Sequence, residues 1–140
     1  MLISIVLIYV TANILPVSAT LLEYKWLLGI AFLCIGLFFN FAGGALFRSV
    51  KTTGNPNRPE MAASLVTSGI YQISRNPMYV GLIFLLLAWA TWLGSVFSLV
   101  IIVIFQQTMT QFQIIPEEKA LAKRFAEKYH NYCSQVRRWV

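Results

Sequence analysis

The chain has little charge, no aspartate and a single histidine. Only 11% of its 140 residues are charged, whereas about a quarter is usual in soluble domains. Apolar residues make up 58% of the sequence, and the mean hydropathy is +0.68. This composition lies outside the range of an ordinary soluble domain, so we expect a protein that is surrounded largely by lipid.

The same scarcity argues against metal, disulfide and nucleic-acid chemistry. His130 is the one histidine and aspartate is absent, so a metal site of histidine and carboxylate ligands is not expected. Cys34 is predicted within the membrane and Cys133 in a cytoplasmic tail, so the two thiols are not expected to pair. The net charge is +6, but the basic residues do not form a stripe with interleaved aromatics, as a nucleic-acid-binding surface would. Binding to anionic lipid headgroups explains the positive charge better.

Long uncharged apolar runs take up most of the chain. A helix that crosses the hydrocarbon core needs roughly 20 mostly apolar residues. The uncharged run 76–116 is too long for one crossing and fits two short ones, folded back at residues 91–95, where Gly94 can supply the turn. We therefore predict an all-α integral membrane protein with about four transmembrane helices, the last two forming a tight hairpin. The predicted spans are residues 2–22, 26–47, 78–93 and 96–115.

The remaining segments are a loop at residues 48–77 and a tail at residues 116–140. Nearly all lysines and arginines lie in these two segments, and only Lys25 lies on the opposite side of the predicted bundle. This bias predicts that both termini, the loop and the tail face the cytoplasm. We expect the membrane to be a bacterial-type inner membrane. Repeats, low-complexity tracts and linkers are absent from the sequence, so residues 1–140 are predicted to form a single domain.

The tail contains a predicted amphipathic helix over residues 117–132. Pro116 suits the first turn of a helix, and Glu117 and Glu118 lie where the helix dipole favours negative charge. An apolar and aromatic stripe follows at helical spacing, formed by Leu121, Phe125, Tyr129 and Tyr132. On one interpretation, this helix lies on the membrane surface with its apolar side down and carries no chemistry.

Arg75 is the first candidate for a binding role. A planar guanidinium can bind a carboxylate through two parallel hydrogen bonds, but an arginine here can also anchor a span by reaching lipid headgroups. Pro77 fixes the backbone directly after Asn76. Arg75, Asn76 and Tyr79 are therefore presented at a rigid span entrance. Tyr71 and Tyr79 could stack on a ligand ring and donate a hydroxyl, or belong to an interfacial aromatic belt.

Polar residues near the cytoplasmic end of the fourth span form a second candidate group, which consists of Gln106, Gln107, Thr108, Gln111 and Gln113. Polar groups at membrane depth tend to face a bundle interior or a wet cavity, so we interpret this group as one wall of a site. Gln113 could instead be interfacial, and glutamine pairs can form interhelical hydrogen bonds without a ligand. Glu117 and Glu118 are likewise ambiguous, because each could cap the tail helix or point into a cavity.

Several elements in a fixed order resemble a known superfamily. They are LVTSGIY and SRNPMYVG, a hydrophobic hairpin, and then EEKAL, RFAEKYHNY and VRRWV, which together extend from Leu65 to Val140. This order resembles the isoprenylcysteine carboxyl methyltransferase and phospholipid methyltransferase superfamily of integral-membrane enzymes. The first two spans add only hydropathy to the resemblance, and the elements do not distinguish between its subfamilies.

The resemblance implies S-adenosylmethionine as the cofactor, bound between the two signature elements and closed over by the tail. The residues that match cofactor-binding positions are Tyr71, Arg75, Asn76, Pro77, Tyr79, Glu117, Glu118, Tyr129 and Tyr132. Leu121, Phe125 and Arg137 belong to the second matching element.

Two positions depart from the superfamily pattern. Asn76 stands where many relatives have histidine, and an asparagine cannot accept a proton at neutral pH. A mechanism that needs a general-base histidine at that position is therefore excluded. Ala126 replaces a common glycine, and we expect this exchange only to tighten local packing.

The implied reaction is transfer of a methyl group to a lipophilic acceptor, such as an isoprenylcysteine-type carboxylate, among membrane lipids. A carboxylate acceptor needs no base and would pair with Arg137 or Arg138. An ammonium acceptor, as in phosphatidylethanolamine methylation, must first lose a proton, which would make Glu118 or Glu117 the base. The catalytic candidates are therefore Glu118, Arg137 and Arg138.

Two other classes of protein stay open. A small four-span transporter of cationic compounds would fit the size of the chain. Such a carrier is expected to hold an acidic residue in mid-membrane, and Glu23 lies only at a span end. A noncatalytic lipid-binding subunit would keep the cofactor pocket without turnover.

Overall fold

The described part of the chain is helical. The computed structural model describes residues 1–49 and 64–140, and β-strands are absent from these residues. The elements are α1 (Leu2–Ile14), α2 (Ala19–Ser49), a 3-10 turn (Gly69–Gln72), α3 (Pro77–Trp92), α4 (Ser98–Met109), a π turn (Thr110–Ile114) and α5 (Ile115–Gln135). The all-α prediction is confirmed for these residues. The predicted loop 48–77 is described only at its ends, and Lys51, Arg58 and the rest of residues 50–63 lie outside the described ranges.

Two helical stretches of the described chain are long and apolar enough to cross a bilayer. They are Ala19–Leu46 and Ser98–Gln135, the latter joining α4, the π turn and α5. α1 and α3 are apolar but have only 13 and 16 residues. Such helices are about 20 and 24 Å long, against about 30 Å of hydrocarbon. The number of four transmembrane helices therefore stays a prediction.

The first helix is shorter than the predicted span 2–22. α1 ends at Ile14, and Leu15 adopts an extended backbone with φ −100° and ψ 155°. The cause is Pro16, because the proline ring clashes with a helical conformation of the preceding residue. The prediction of one continuous helix over residues 2–22 is therefore wrong.

The second helix begins earlier than predicted. α2 begins at Ala19, and the Ser18 hydroxyl accepts a hydrogen bond from the Leu21 backbone N–H at 3.3 Å, as a capping serine does. The helix continues without interruption through residues 23–25, where the sequence predicts a gap between two spans. Single charged residues do not break a helix, so the charges that separate the apolar runs do not separate the helices.

The predicted turn between the last two apolar helices is confirmed at Gly94. Its φ of +68° lies in the left-handed region that favours glycine. The Gly94 N–H donates to the Thr91 carbonyl at 3.0 Å, and the Ser95 N–H donates to the Ala90 carbonyl at 3.0 Å. These two bonds form a Schellman motif, which satisfies the last carbonyls of α3.

The described residues form two compact units. The first contains Met1–Phe38 and Gly81–Thr108, and the second contains Phe39–Val80 and Met109–Val140. α2, α3 and α4 contribute residues to both units, so the single domain over residues 1–140 stays a prediction.

The first unit has closely packed helices and an apolar exterior. A Cβ atom on Gly36 of α2 would lie 2.9 Å from Leu85 Cδ2 and 3.0 Å from the Gly81 carbonyl oxygen of α3. Ser98 is fully buried and its hydroxyl donates to Ser95 Oγ at 2.7 Å. Many large apolar side chains lie outside, including Leu27, which is 70% exposed. Such an exterior suits contact with lipid.

The second unit is built around the aromatic stripe of α5. The buried members of its core are Val66, Ile70, Tyr71, Tyr129, Tyr132 and Val136, and Leu121 and Phe125 pack against them. The stripe predicted for the tail is confirmed, and its apolar side chains contact other parts of the protein. This packing does not require the helix to lie with that side on a membrane surface.

The tail helix has no free N-terminus of its own. The π turn connects α4 to α5, and Ile114 and Ile115 have helical backbone angles. Pro116 lacks a backbone N–H, and in a regular α-helix its ring would clash with the carbonyl of residue 112. The wider π turn before it relieves that clash. Pro116 and both glutamates lie in the first turn of α5, as predicted. Because the backbone is already helical before Pro116, the glutamates do not cap a separate helix end, which leaves the alternative that they point into a site.

Ala126 interrupts α5. Its φ of 44° and ψ of −117° are not helical. Among the described residues, Ala126 is the only residue other than glycine that has a positive φ. A Cβ atom makes this conformation unfavourable, whereas glycine adopts it readily. The expectation that alanine here only tightens local packing is therefore wrong, because the exchange strains the backbone.

Candidate active site

The predicted cofactor residues lie in the second unit, where the chain before α3 runs beside its own C-terminal segment (residues 136–140). The Arg75 backbone N–H donates to the Arg137 carbonyl at 3.0 Å. The Ser74 hydroxyl is buried and donates to the Arg138 carbonyl at 3.3 Å. Pro77, which is fully buried, begins α3 immediately afterwards. These contacts fix the backbone from which the candidate side chains project.

Glu118 lies between two arginines, and the three side chains form the glutamate–arginine cluster. Arg138 donates to both carboxylate oxygens of Glu118, from Nε at 3.0 Å and from Nη2 at 2.7 Å. Arg75 Nη1 lies 3.1 Å from Glu118 Oε1. The Glu118 side chain is only 16% exposed, so these charge-assisted bonds are partly shielded from water. Hydrogen bonding to Glu118 raises the pKa of Arg138 above its ordinary value.

Arg75 has a donor left over. Its Nη1 also donates to Cys133 Sγ at 2.7 Å, yet its Nε is buried and has no hydrogen-bond partner among the described residues. An unpaired buried N–H of a charged group is costly, so its presence suits a site that binds an acceptor group. Cys133 was not a sequence candidate. Its spacing of four residues from Tyr129 places it on the same stripe of α5, and that spacing could have revealed it.

Glu117 has different neighbours from Glu118. Its Oε1 accepts hydrogen bonds from the Tyr79 hydroxyl at 3.0 Å and from Gln113 Nε2 at 3.3 Å. Within the described residues, neither Arg75 nor Arg138 bridges to it. The two adjacent glutamates are therefore chemically distinct, since one is neutralised by arginines and the other is held by neutral donors.

Asn76 contacts the C-terminal segment. Its Nδ2 donates to the Arg138 carbonyl at 2.9 Å, and its backbone N–H donates to Ser74 Oγ at 3.1 Å. The asparagine that replaces the common histidine thus holds the backbone of a residue in the glutamate–arginine cluster. This role requires a donor at that position and no proton transfer.

The other tyrosines are largely packing residues. The Tyr132 hydroxyl donates to the Tyr71 carbonyl at 2.6 Å, and the rings of Tyr129 and Tyr132 lie 6.4 Å apart. Burial raises the pKa of Tyr71, so its hydroxyl stays protonated. These three residues support the site from the core of the unit, and the Tyr132 hydroxyl is already engaged.

The remaining predicted residues divide between the site and the surface. Gln113 contacts Glu117, as described above. Gln107, Thr108 and Gln111 are exposed, so the predicted inward orientation is wrong for them. Arg137 is exposed, and its backbone carbonyl accepts the hydrogen bond from the Arg75 N–H.

A strongly apolar helical chain with a cluster of glutamates and arginines agrees with a membrane-associated methyltransferase. The chain belongs to the phospholipid methyltransferase family, whose family profile matches residues 24–128. An uncharacterized protein of Haemophilus influenzae is 41% identical over 63 residues, which is 45% of this chain and the whole of that protein. No solved structure matches the chain significantly. The family implies methyltransferase activity and association with a membrane.

Proposed function

We propose that the protein transfers a methyl group from S-adenosylmethionine to the amino group of a membrane lipid. The observation that carries this proposal is Glu117, a partly buried carboxylate that is held by Tyr79 and Gln113 and has no arginine partner among the described residues. Family membership supports the reaction class. The choice of acceptor rests on the different surroundings of the two glutamates.

The residues present fit the proposed cofactor. S-adenosylmethionine carries a carboxylate, an ammonium group and a sulfonium centre, and when bound it supplies an electrophilic methyl group. The unpaired Nε–H of Arg75 suits the carboxylate. Glu118 holds Arg75 in position through its 3.1 Å contact.

An ammonium acceptor needs a base, and Glu117 can act as one. Its carboxylate would take a proton from the ammonium and so provide the neutral amine that can accept a methyl group. The chain would otherwise hold the reactants in contact and exclude water. Tyr79 and Gln113 keep the carboxylate in one orientation, which favours a defined direction of proton transfer.

The carboxylate acceptor expected from the sequence has less support. It would pair with Arg137 or Arg138, but the Arg138 guanidinium already makes two hydrogen bonds to Glu118. A substrate carboxylate at Arg138 would have to use the N–H groups that Glu118 leaves over and would lie beside a second carboxylate of the same charge. Glu23, the acidic residue considered for a transporter, is exposed, and no contact described here supports that alternative.

We also infer a cytoplasmic location for both termini and residence in a bacterial-type inner membrane. The concentration of lysine and arginine in the loop and tail supports the orientation. On this arrangement, the cofactor reaches the second unit from the cytoplasm, and a lipid acceptor reaches it from the bilayer.

Two measurements on detergent-purified protein test the proposal. Calorimetry should detect binding of S-adenosylmethionine that Arg75→Ala weakens and Glu117→Gln leaves within a few-fold. Radiolabel transfer to extracted lipids should then fall about 100-fold or more in Glu117→Gln, because a positioned base contributes roughly that much. Lys119→Gln, which changes an exposed residue of the same helix, serves as the control.

The chemical stability of the label separates the two acceptors. Mild base cleaves methyl esters but leaves N-methyl groups intact. A label that stays in nonvolatile products after base treatment supports an amine acceptor, whereas a label released as volatile methanol contradicts it and supports a carboxylate acceptor. Absence of cofactor binding in folded protein would overturn the methyltransferase proposal itself.

A further inference from the structure

The second unit has a concavity whose lining does not include Arg75, Glu117 or Glu118. Its volume is about 310 Å³. Buried Tyr132 and Val136 contribute its apolar part. The polar residues that line it are Thr67, Gln72, Lys128, Asn131 and Gln135.

The local fold explains why these residues converge. Lys128, Asn131 and Gln135 are separated by three and four residues in α5 after the interruption at Ala126, so they lie on one stripe of the helix. Thr67 and Gln72 come from either side of the start of the 3-10 turn and form the opposite wall.

The five polar side chains that line the concavity are exposed. Within the described part of the chain, none of the five makes a side-chain hydrogen bond or ion pair. Each can donate a hydrogen bond, Lys128 adds a positive charge, and no carboxylate belongs to the lining. Because the five side chains are exposed, a ligand could meet them without displacing a partner within the protein.

We propose that this concavity binds a phosphate group. A phosphate carries several strong acceptor oxygens and negative charge, which suit one ammonium group surrounded by amide and hydroxyl donors. The engaged hydroxyl of Tyr132 leaves its ring and Val136 as an apolar surface for the carbon skeleton next to the phosphate. The phosphate can belong to a phospholipid headgroup or to a soluble phosphate ester. The site is independent of the methyl-transfer proposal.

The test uses full-length protein in a phosphate-free maltoside detergent and three probes. Dihexanoyl phosphatidylglycerol presents the phosphate on a lipid, glycerol 3-phosphate presents it in solution, and dihexanoylglycerol lacks it. Binding is measured by microscale thermophoresis for the natural sequence, Lys128→Gln and Lys123→Gln. Lys123 is an exposed lysine of the same helix that does not line the concavity, so its variant is the matched control.

We expect a phosphate-bearing probe to bind at least about 10-fold more tightly than dihexanoylglycerol. Lys128→Gln should weaken that binding about 10-fold, as expected for one charge-assisted hydrogen bond, and Lys123→Gln should change it less than two-fold. Stronger binding of the lipid than of glycerol 3-phosphate identifies a headgroup site, and similar binding identifies a site for soluble esters. The proposal is overturned if no phosphate probe binds, if dihexanoylglycerol binds equally well, or if both lysine variants behave alike.

Discussion

Replacing Ala126 by glycine should stabilise the protein, although glycine usually weakens a helix. Ala126 has a φ of 44° and a ψ of −117° inside α5. A residue with a Cβ atom in such a region costs about 1–3 kcal/mol. Glycine removes that cost but loses about 0.5–1 kcal/mol through its greater freedom in the unfolded chain. The net expected gain is about 0.5–2 kcal/mol, or a rise in Tm of about 2–6 °C.

The assay is thermal unfolding in detergent, followed by circular dichroism at a fixed protein-to-detergent ratio. Ala122→Gly is the matched control, because Ala122 is an exposed alanine in the same helix one turn earlier. It is not among the positive-φ residues, so its replacement should destabilise the protein by about 1 kcal/mol. If Ala126→Gly lowers Tm as much as Ala122→Gly does, the strain at Ala126 is absent and the reasoning fails.

Three further predictions concern packing and the site. Gly36→Ala should lower Tm, because the added Cβ would lie 2.9 Å from Leu85 Cδ2. Gly29→Ala is the control and should be tolerated, because its nearest contact would be at 3.9 Å; equal Tm values for the two variants would contradict the close packing at Gly36. Asn76→Ala removes a 2.9 Å bond to the Arg138 carbonyl and should speed hydrogen exchange at residues 136–140 at least about three-fold; unchanged exchange would show that this bond does not hold the segment. Glu118→Gln leaves two arginines short of their counter-charge and should cost about 1–3 kcal/mol in denaturant unfolding, and a neutral effect would show that the cluster adds little.

Local features of the structure could be predicted well from the sequence. The turn at Gly94 follows from a glycine between two apolar runs, and the stripe of α5 follows from helical spacing. Pro16 ends α1 and could have been recognised in the sequence. The first span was predicted too long because it was assigned only from the length of the uncharged run. Charge marks where a chain can leave lipid and does not mark where a helix ends.

The site depended more on tertiary structure. The resemblance identified Arg75 and the two glutamates as candidates. The chemical difference between the two glutamates could not be predicted, because they are adjacent in the sequence and both follow Pro116. Packing of α5 against the chain before α3 turns Glu118 towards Arg75 and Arg138 and Glu117 towards Tyr79.

The sequence by itself determined a helical, lipid-adapted protein with methyltransferase signatures, because composition, spacing and short motifs act over a few neighbouring residues. Only the tertiary structure decided that Asn76 holds the C-terminal segment, that Ala126 carries backbone strain and that Lys128 borders a separate concavity. These features depend on contacts between distant parts of the chain, or on backbone angles that such contacts impose. No local pattern specifies them.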